Sequence, residues 1–154
     1  MTTFARARTR LMHFYFRLAR PMTLGVRGVV VDAEERVLLV RHTYLPGWHL
    51  PGGGVEAGEA AHESLEREVW EEGAVRLTGP ARLHGFFHNR NASPRDHVAV
   101  FVVHDFEVAG PKTPDREIAE AGFFPRTDLP ALTTRATRAR LAEIFEGAAV
   151  DPHW

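Results

Sequence analysis

The sequence predicts an α/β domain of the α/β/α sandwich class, preceded by a short helical extension. Segments rich in β-branched residues predict strands before and after a helical segment, and a second helical segment follows near the C-terminus. One strand segment, residues 97–104, is apolar at almost every position, which is typical of a strand covered on both faces. A chain of 154 residues with 44% hydrophobic content can bury one core, and two domains are not expected.

The first two strands are predicted at residues 24–31 and 36–41, with the sequences LGVRGVVV and RVLLVR. The polar residues 32–35 between them are typical of a turn, so we expect the two strands to pair as a hairpin. Helices are predicted from Ala60 to Glu72 and from Thr134 to Glu146, and Gly147 is placed to end the second one.

Residues 1–20 are predicted to form an N-terminal extension, separate from the domain at residues 21–154. The extension has five arginines and no acid, and apolar, largely aromatic residues alternate with the arginines. This pattern indicates a cationic amphipathic helix, which can lie on a membrane surface or act as a targeting peptide. Because the segment is so aromatic, we expect it instead to pack on the domain or on a second subunit, as in a homodimer.

Composition excludes several classes of function. A net charge of -1 and a pI near 6.8 give no reason to expect stable nucleic-acid binding, although a nucleotide can still be the substrate. Without cysteine the chain has no disulfide, no thiolate zinc site and no cysteine nucleophile. No apolar run approaches the roughly 18 residues of a membrane span, and no secretory signal is visible. We therefore expect a cytoplasmic protein.

An unusual density of carboxylates marks the first predicted helix of the domain. Seven glutamates lie between residues 56 and 72, against the single base Arg67. Like charges one helical turn apart repel, so something cationic is expected to offset them. At about 100° per residue, Glu68, Glu71 and Glu72 share one face, beside the apolar stripe that packs on the core. Partly desolvated carboxylates bind hard cations strongly, so we predict a Mg²⁺ or Mn²⁺ site.

A run of three glycines, from Gly52 to Gly54, precedes this helix. Glycine lets the backbone approach a ligand closely, and a loop that enters a helix offers N–H groups to phosphate and carbonyls to metal. A glycine cluster alone is more often a simple turn. Joined to the acidic helix, it predicts a site for a metal-bridged diphosphate.

Residues 53–75 resemble the Nudix box. The matching positions are Gly53, Glu59 after five residues, and, after seven more, Arg67-Glu68-Val69 and Glu71-Glu72 on either side of Trp70. The segments GWHLPGG, EIAEAGFF and Asp128-Leu129-Pro130 are also similar to the family, so the resemblance covers roughly residues 22–147. It implies a Nudix-like sandwich with a mixed sheet. It also implies hydrolysis of the pyrophosphate bond of a nucleoside diphosphate linked to another moiety, by metal-activated water.

The sequence departs from the box at one place. The motif normally closes with any residue, then glycine, then an aliphatic residue, whereas here Gly73-Ala74-Val75 exchanges the first two. Because glycine commonly ends a helix, we expect a slightly shifted helix exit.

The resemblance also implies roles for individual residues. Glu68 and Glu72 are expected to be the principal metal ligands, with Glu71 as a further ligand close to the reaction and the Gly53 carbonyl completing the shell. An ion pair between Arg67 and Glu59 is expected to hold the loop against the helix. The general base is less determined: Glu117 lies in the loop before the last strand, with Glu120 in reserve, and either is equally compatible with a surface acid.

Substrate contacts are expected from the loop and from the first strands. Gly52 is placed to approach the substrate, and Arg27 and Arg41 are candidates for phosphate contacts, although exposure to solvent is the commoner fate of such arginines. Trp48 is a candidate for stacking on a base, although aromatic residues beside strands more often belong to the core.

Two classes of function remain for such a fold. One is the hydrolase, and the other is a non-catalytic nucleotide-binding or regulatory domain, which has no need of three adjacent carboxylates. The absence of cysteine argues against an isopentenyl diphosphate isomerase. Candidate substrates are nucleoside triphosphates, including oxidised ones, ADP-ribose-like sugar nucleotides, dinucleoside polyphosphates and capped RNA.

Overall fold

The computed structural model describes residues 3–154, and for residues 3–7 the backbone alone. The elements follow in the order α1 (Thr3–Ala19), β1 (Thr23–Val30), β2 (Arg36–His42), α2 (Ala61–Gly73), β3 (Val75–Leu77), β4 (Arg82–His88), β5 (Asp96–Val103), β6 (Phe106–Val108), β7 (Ile118–Pro125) and α3 (Arg135–Phe145). No helix within this described part is long and apolar enough to cross a bilayer.

A mixed sheet of order β1-β5-β4 lies at the centre of the domain, with β1 parallel and β4 antiparallel to β5. Alternate residues of β5 face opposite sides. On one side Val98, Val100 and Val102 join a cluster with Leu141 of α3. On the other side Ala99, Phe101 and Val103 join a cluster with Leu65 and Val69 of α2. The strand is therefore covered on both faces, and the predicted α/β/α sandwich is confirmed.

The predicted hairpin of the first two strands is wrong. The turn between them forms, with the Asp32 carboxylate accepting from the N–H groups of Glu34 and Arg36. Beyond it the strands share a single bridge, Val31 to Val37. Strand β1 pairs with β5, and β2 pairs with β7 in a second, two-stranded sheet. Both strands carry consecutive buried residues instead of alternating ones, so each needs cover on both faces and the two diverge to obtain it.

Helix α2 ends in a way that accommodates the exchanged residues of the motif. Gly73 is the last helical residue, and Ala74 adopts the left-handed conformation (φ 53°) that glycine normally takes at the end of a helix. A Cβ at residue 73 would lie 2.6 Å from Cδ2 of Leu38. The chain thus turns at position 74, where the motif has its glycine, and the expected shift of the helix exit is not seen.

From Arg8 onward, the apolar side chains of helix α1 do not pack on the domain in this structure, so that part of our expectation is wrong. The apolar side chains described for it are 43% to 70% exposed: Leu11, Met12, Phe14, Tyr15, Phe16 and Leu18. The helix ends at Ala19, just before Pro21, and β1 begins at Thr23. Packing on a second subunit stays a prediction.

Candidate active site

The acidic face of α2 lies at the edge of the core. Leu65 and Val69 are completely buried, which fixes the rotation of the helix. This rotation leaves the side chains of Glu68 and Glu72 only 14% and 8% exposed, whereas that of Glu71 is 57% exposed. Glu68 and Glu72 are thus largely desolvated, as expected, whereas the expectation is wrong for Glu71, which lies farthest from the apolar stripe and remains open to solvent.

The glycine run brings its backbone up to both buried carboxylates. Gly52 has a φ of +145°, its N–H donates to Oε2 of Glu72 at 2.8 Å, and a Cβ there would lie 2.0 Å from the carbonyl oxygen of Val26. A Cβ on Gly53 would lie 2.5 Å from Oε1 of Glu68. The Gly53 carbonyl accepts from the N–H of Val26 at 2.8 Å and retains a second lone pair. A side chain at Gly52 would displace the loop from β1, and one at Gly53 would displace it from α2.

The ion pair that we predicted between Arg67 and Glu59 is confirmed. Nε and Nη2 of Arg67 donate to the two oxygens of Glu59 at 2.9 and 3.0 Å, and this contact holds the pKa of Glu59 down at about 2. Nη2 also reaches the carbonyl of Gly54 at 3.2 Å, and Nη1 donates to Oε1 of Glu68 at 2.5 Å. Arg67 therefore fastens the loop to the helix and partly neutralises the acidic face.

The surroundings of Glu72 disfavour the ionised form of its carboxylate. Burial is the main cause that raises its pKa to about 7; the nearby charges of Glu68 and Glu117 act in the same direction, and the N–H of Gly52 and the charge of Arg27 act against it. The protein alone therefore does not fully offset the negative charge of ionised Glu72. A cation at this position would offset it.

His42 is part of the site but was not identified from the sequence. It is 8% exposed, and its Nε2 lies 3.7 Å from Oε1 of Glu72, beyond hydrogen-bond distance. Its Nδ1 is buried with no hydrogen-bond partner within the described part of the chain. Burial lowers its pKa, and His49 and Arg27 lower it further, so the ring is neutral at neutral pH. Its position at the end of β2, next to Arg41, was the available signal.

Arg27 is half-buried and faces the acidic site, so the exposure that we considered commoner for it is wrong. Its Nη1 donates to the carbonyl of Val26 at 3.1 Å, and within residues 8–154 it forms no ion pair at 4 Å or less. Burial lowers its pKa, while the charges of Glu72 and Glu68 raise it. The guanidinium is thus a partly buried cation with few direct partners, beside two carboxylates.

Arg41 and Trp48 lie away from the acidic face. Arg41 is exposed and pairs with Glu120 at 3.1 Å, and its guanidinium lies 5.9 Å from the centre of the Trp48 ring. Trp48 is 9% exposed and packs edge-on against Phe124, with ring centres 4.8 Å apart. Trp48 is therefore a core residue, and we do not propose that it stacks on a base.

A cleft of about 720 Å³ lies between the acidic face and the loop before β7. Glu68, Glu71 and Glu72 line one side and Glu117 the other. The loop is held by Asp115, whose Oδ1 accepts from the N–H groups of Glu117 and Ile118 at 2.9 and 2.8 Å. Of the two acids considered as general base, Glu117 thus faces the cleft, while Glu120 pairs with Arg41.

A second cavity of about 670 Å³ lies near the same site. His49 lines this cavity, and its ring centre lies 5.5 Å from that of His42, which is next to Glu72. Amide, cationic and aromatic side chains form much of its wall, among them Asn89, Arg90, Asn91, Arg135 and Trp154. These residues were not identified as candidates, because loop and C-terminal segments give no periodic signal.

The donors of the acidic face suit a hard cation, since they are carboxylates and backbone carbonyls. Within the described residues, no three acidic or histidine side chains converge into a ready-made metal site. The reason is visible at Glu68, which is turned toward Arg67. The largely desolvated carboxylates of Glu68 and Glu72 and the uncompensated charge of Glu72 nevertheless fit a cation bound here.

The mixed-sheet sandwich, the glycine loop and the glutamate helix together define a class of protein. A family model described as the NUDIX domain matches residues 21–145, and the chain belongs to this family. The resemblance of residues 53–75 to the Nudix box is thereby confirmed.

Individual relatives agree with this assignment. The chain is 29% identical over 120 residues to an ADP-ribose pyrophosphatase of Methanocaldococcus jannaschii, across 76% of this chain and 70% of that protein. It is 40% identical over 55 residues to a MutT-like protein of Streptomyces ambofaciens, across 36% of each. The crystal structure of a MutT NUDIX hydrolase from Burkholderia pseudomallei superposes with a TM-score of 0.68 and 26% identity, across 79% of this chain and 97% of that one. The chain spans 36% to 59% of the length of three curated relatives.

Proposed function

We propose that the protein is a divalent-cation-dependent hydrolase that cleaves the pyrophosphate bond of a nucleoside diphosphate linked to another moiety. The observation that carries the proposal is the approach of Gly52 and Gly53 to Glu72 and Glu68. This contact joins a backbone suited to phosphate with carboxylates suited to a cation, in a cleft open to substrate.

Glu68 and Glu72 would hold the cation, which is Mg²⁺ or Mn²⁺, with Glu71 and the Gly53 carbonyl as further ligands. When bound, the ion neutralises the diphosphate and makes water more nucleophilic. Glu68 has to turn from Arg67 toward Glu72 for this, and the Arg67–Glu59 pair keeps the loop in place meanwhile. Arg67 is a positioning residue in this scheme.

Glu117 is the residue that we propose as general base. It faces Glu71 and Glu72 across the cleft, and its N–H is bound to Asp115, which fixes the direction of the loop. An exposed carboxylate at the cleft wall can accept a proton from water that attacks phosphorus. The proton then leaves to solvent through the open side of the cleft.

Two features support a nucleoside diphosphate derivative as substrate. Arg27 supplies a half-buried positive charge beside the acidic face, where it can bind a second phosphate. The cavity lined by His49 has the size of a small-molecule site and amide and aromatic side chains that suit a nucleoside. The M. jannaschii relative is named for ADP-ribose, which is a substrate of this class.

The test is release of phosphate, pyrophosphate or nucleoside monophosphate from purified protein. The panel contains nucleoside triphosphates, oxidised nucleotides, ADP-ribose, other sugar nucleotides, dinucleoside polyphosphates and capped RNA, each with Mg²⁺, with Mn²⁺ and with chelator. We expect turnover only with the metals, and loss of at least about 10²-fold in kcat for Glu72→Gln. Glu66→Gln is the matched control, because Glu66 is an exposed glutamate on the same helix. A wild-type protein that binds these nucleotides but never turns them over would instead be the non-catalytic domain.

A further inference from the structure

Helix α1 carries a broad apolar face that the domain leaves uncovered. At about 100° per residue, its apolar side chains from residue 8 onward occupy an arc of about 200°. Tyr15 lies at the centre of this arc, and Phe14 and Phe16 lie at its two edges. Phe14 and Leu18 are 59% and 67% exposed. Exposed apolar area of this extent on a soluble surface marks a binding face.

The opposite face of α1 is basic. Arg10 and Arg17 lie on one side of the polar arc, and His13 and Arg20 continue it. Arg8 lies about 20° from the centre of the apolar arc, in the first turn whose side chains are described, and its long side chain can reach water toward the N-terminal end of the helix. No acid occurs before Asp32. Because the arginines have no acidic partner within this segment, we expect the surface that covers the apolar face to carry negative charge.

The charge of the chain is segregated between α1 and the domain. Five of the 19 basic residues and none of the 20 acidic residues belong to residues 1–20, so the remaining residues hold 14 basic against 20 acidic side chains. This division argues against pairing of α1 with its copy, because two such helices would place arginines against arginines with no acid between them. An apolar layer with an anionic surface satisfies both faces of the helix at once.

We propose that α1 binds in the plane of an anionic lipid surface, with its aromatic face among the acyl chains and its arginines at the headgroups. Aromatic and leucine residues opposite arginines are the composition of helices that lie in a bilayer interface. The helix stops before Pro21, and three residues separate it from β1, so it can lie on the surface without rearrangement of the domain. Among the described residues, none of α1 lines the cleft between α2 and the loop before β7, so binding of α1 need not close the cleft.

The experiment is sedimentation of the full chain with vesicles of phosphatidylcholine mixed with phosphatidylglycerol, and with phosphatidylcholine alone. We expect binding to the anionic vesicles that weakens with salt, and at least about tenfold weaker binding to the neutral ones. Phe14→Ser with Leu18→Ser should lose binding through the apolar face. Arg10→Glu with Arg17→Glu should lose it through charge. Because all four side chains are exposed, both variants should unfold thermally as the wild type does.

The matched control is Arg82→Glu with Arg95→Glu, which makes the same change of net charge at exposed positions on the domain. This variant should keep binding to the anionic vesicles. The proposal is overturned by a wild type that does not bind them, or by a control that loses binding as completely as the α1 variants. It is equally overturned by a dimer in light scattering that Phe14→Ser with Leu18→Ser dissociates while no vesicles are bound, since a second copy would then cover the helix.

Discussion

Nη1 of Arg67 donates to Oε1 of Glu68 at 2.5 Å, so one of the carboxylates proposed to bind metal is paired with an arginine of the same helix. The same guanidinium holds Glu59 through two further hydrogen bonds. Arg67 therefore partly offsets the repulsion along α2 when no metal is bound, and its contact with Glu59 needs no change when metal binds.

Replacement of Arg67 tests this double role. We expect Arg67→Gln to lower kcat by about 10- to 100-fold, because the loop that carries Gly53 loses its attachment to α2. Glu59→Gln should have a similar effect, and the double variant should be hardly worse than either one, since all three lose the same pair. The measurement is kcat at saturating Mg²⁺. Fully additive losses would mean that the two residues act separately.

Glu72 predicts a pH dependence of stability in the metal-free protein. Its folded pKa of about 7 lies above the ordinary value of 4.5. A raised pKa contributes stability that is present below pH 4.5 and is lost as the pH rises through about 7. In chelator, Glu72→Gln should therefore be more stable than the wild type at pH 8, by up to about 3 kcal/mol, and no more stable at pH 4. Denaturant unfolding at both pH values measures this difference. A pH-independent difference between the two proteins would contradict it.

The end of α2 predicts opposite effects of two neighbouring substitutions. Ala74 has a left-handed conformation that costs a non-glycine residue about 1 kcal/mol, so Ala74→Gly should stabilise the fold by about 0.5–1 kcal/mol. Gly73→Ala should destabilise it, because the new Cβ would meet the side chain of Leu38. The midpoints of denaturant unfolding compare the two variants with the wild type. Equal effects of both substitutions would show that helix-end conformation does not decide stability here.

Arg27 predicts an effect on substrate affinity. A buried charge that binds phosphate contributes about 1.5–3 kcal/mol, so Arg27→Gln should lower kcat/KM by about 10- to 100-fold, mainly through KM. Arg41→Gln is the control, since Arg41 is exposed and already paired with Glu120. Steady-state kinetics on the best substrate of the panel give both constants. An equal loss of kcat/KM in the two variants would show that Arg27 does not bind the substrate.

The identity of the general base predicts a difference between two glutamates of one segment. Glu117 faces the cleft, so Glu117→Gln should lower kcat by about 10²-fold or more and remove the acidic limb of the pH profile. Glu120→Gln should remain within about twofold, because Glu120 contacts Arg41 outside the cleft. Full activity in Glu117→Gln would mean that solvent or another carboxylate, and not Glu117, accepts the proton.

Local sequence was sufficient for the parts of the molecule that depend on near neighbours. The rotation of α2 follows from the spacing of Leu65 and Val69, and the cap of α3 follows from Thr134, whose hydroxyl accepts from the N–H of Thr137. The double cover of β5 follows from its unbroken apolar run. The ion pair between Glu59 and Arg67 was predicted from the resemblance to the Nudix box.

Tertiary structure alone decided the features that join distant segments. The turn at residues 32–35 is local, but whether β1 and β2 continue to pair depends on β5 and β7, which offer more buried contact. Likewise, the burial of Arg27, the place of His42 beside Glu72 and the division between Glu117 and Glu120 depend on how separate strands meet. The sequence by itself determined the chemical groups and the faces that carry them. Desolvation and charge proximity, which set their reactivity, are properties of the packed chain.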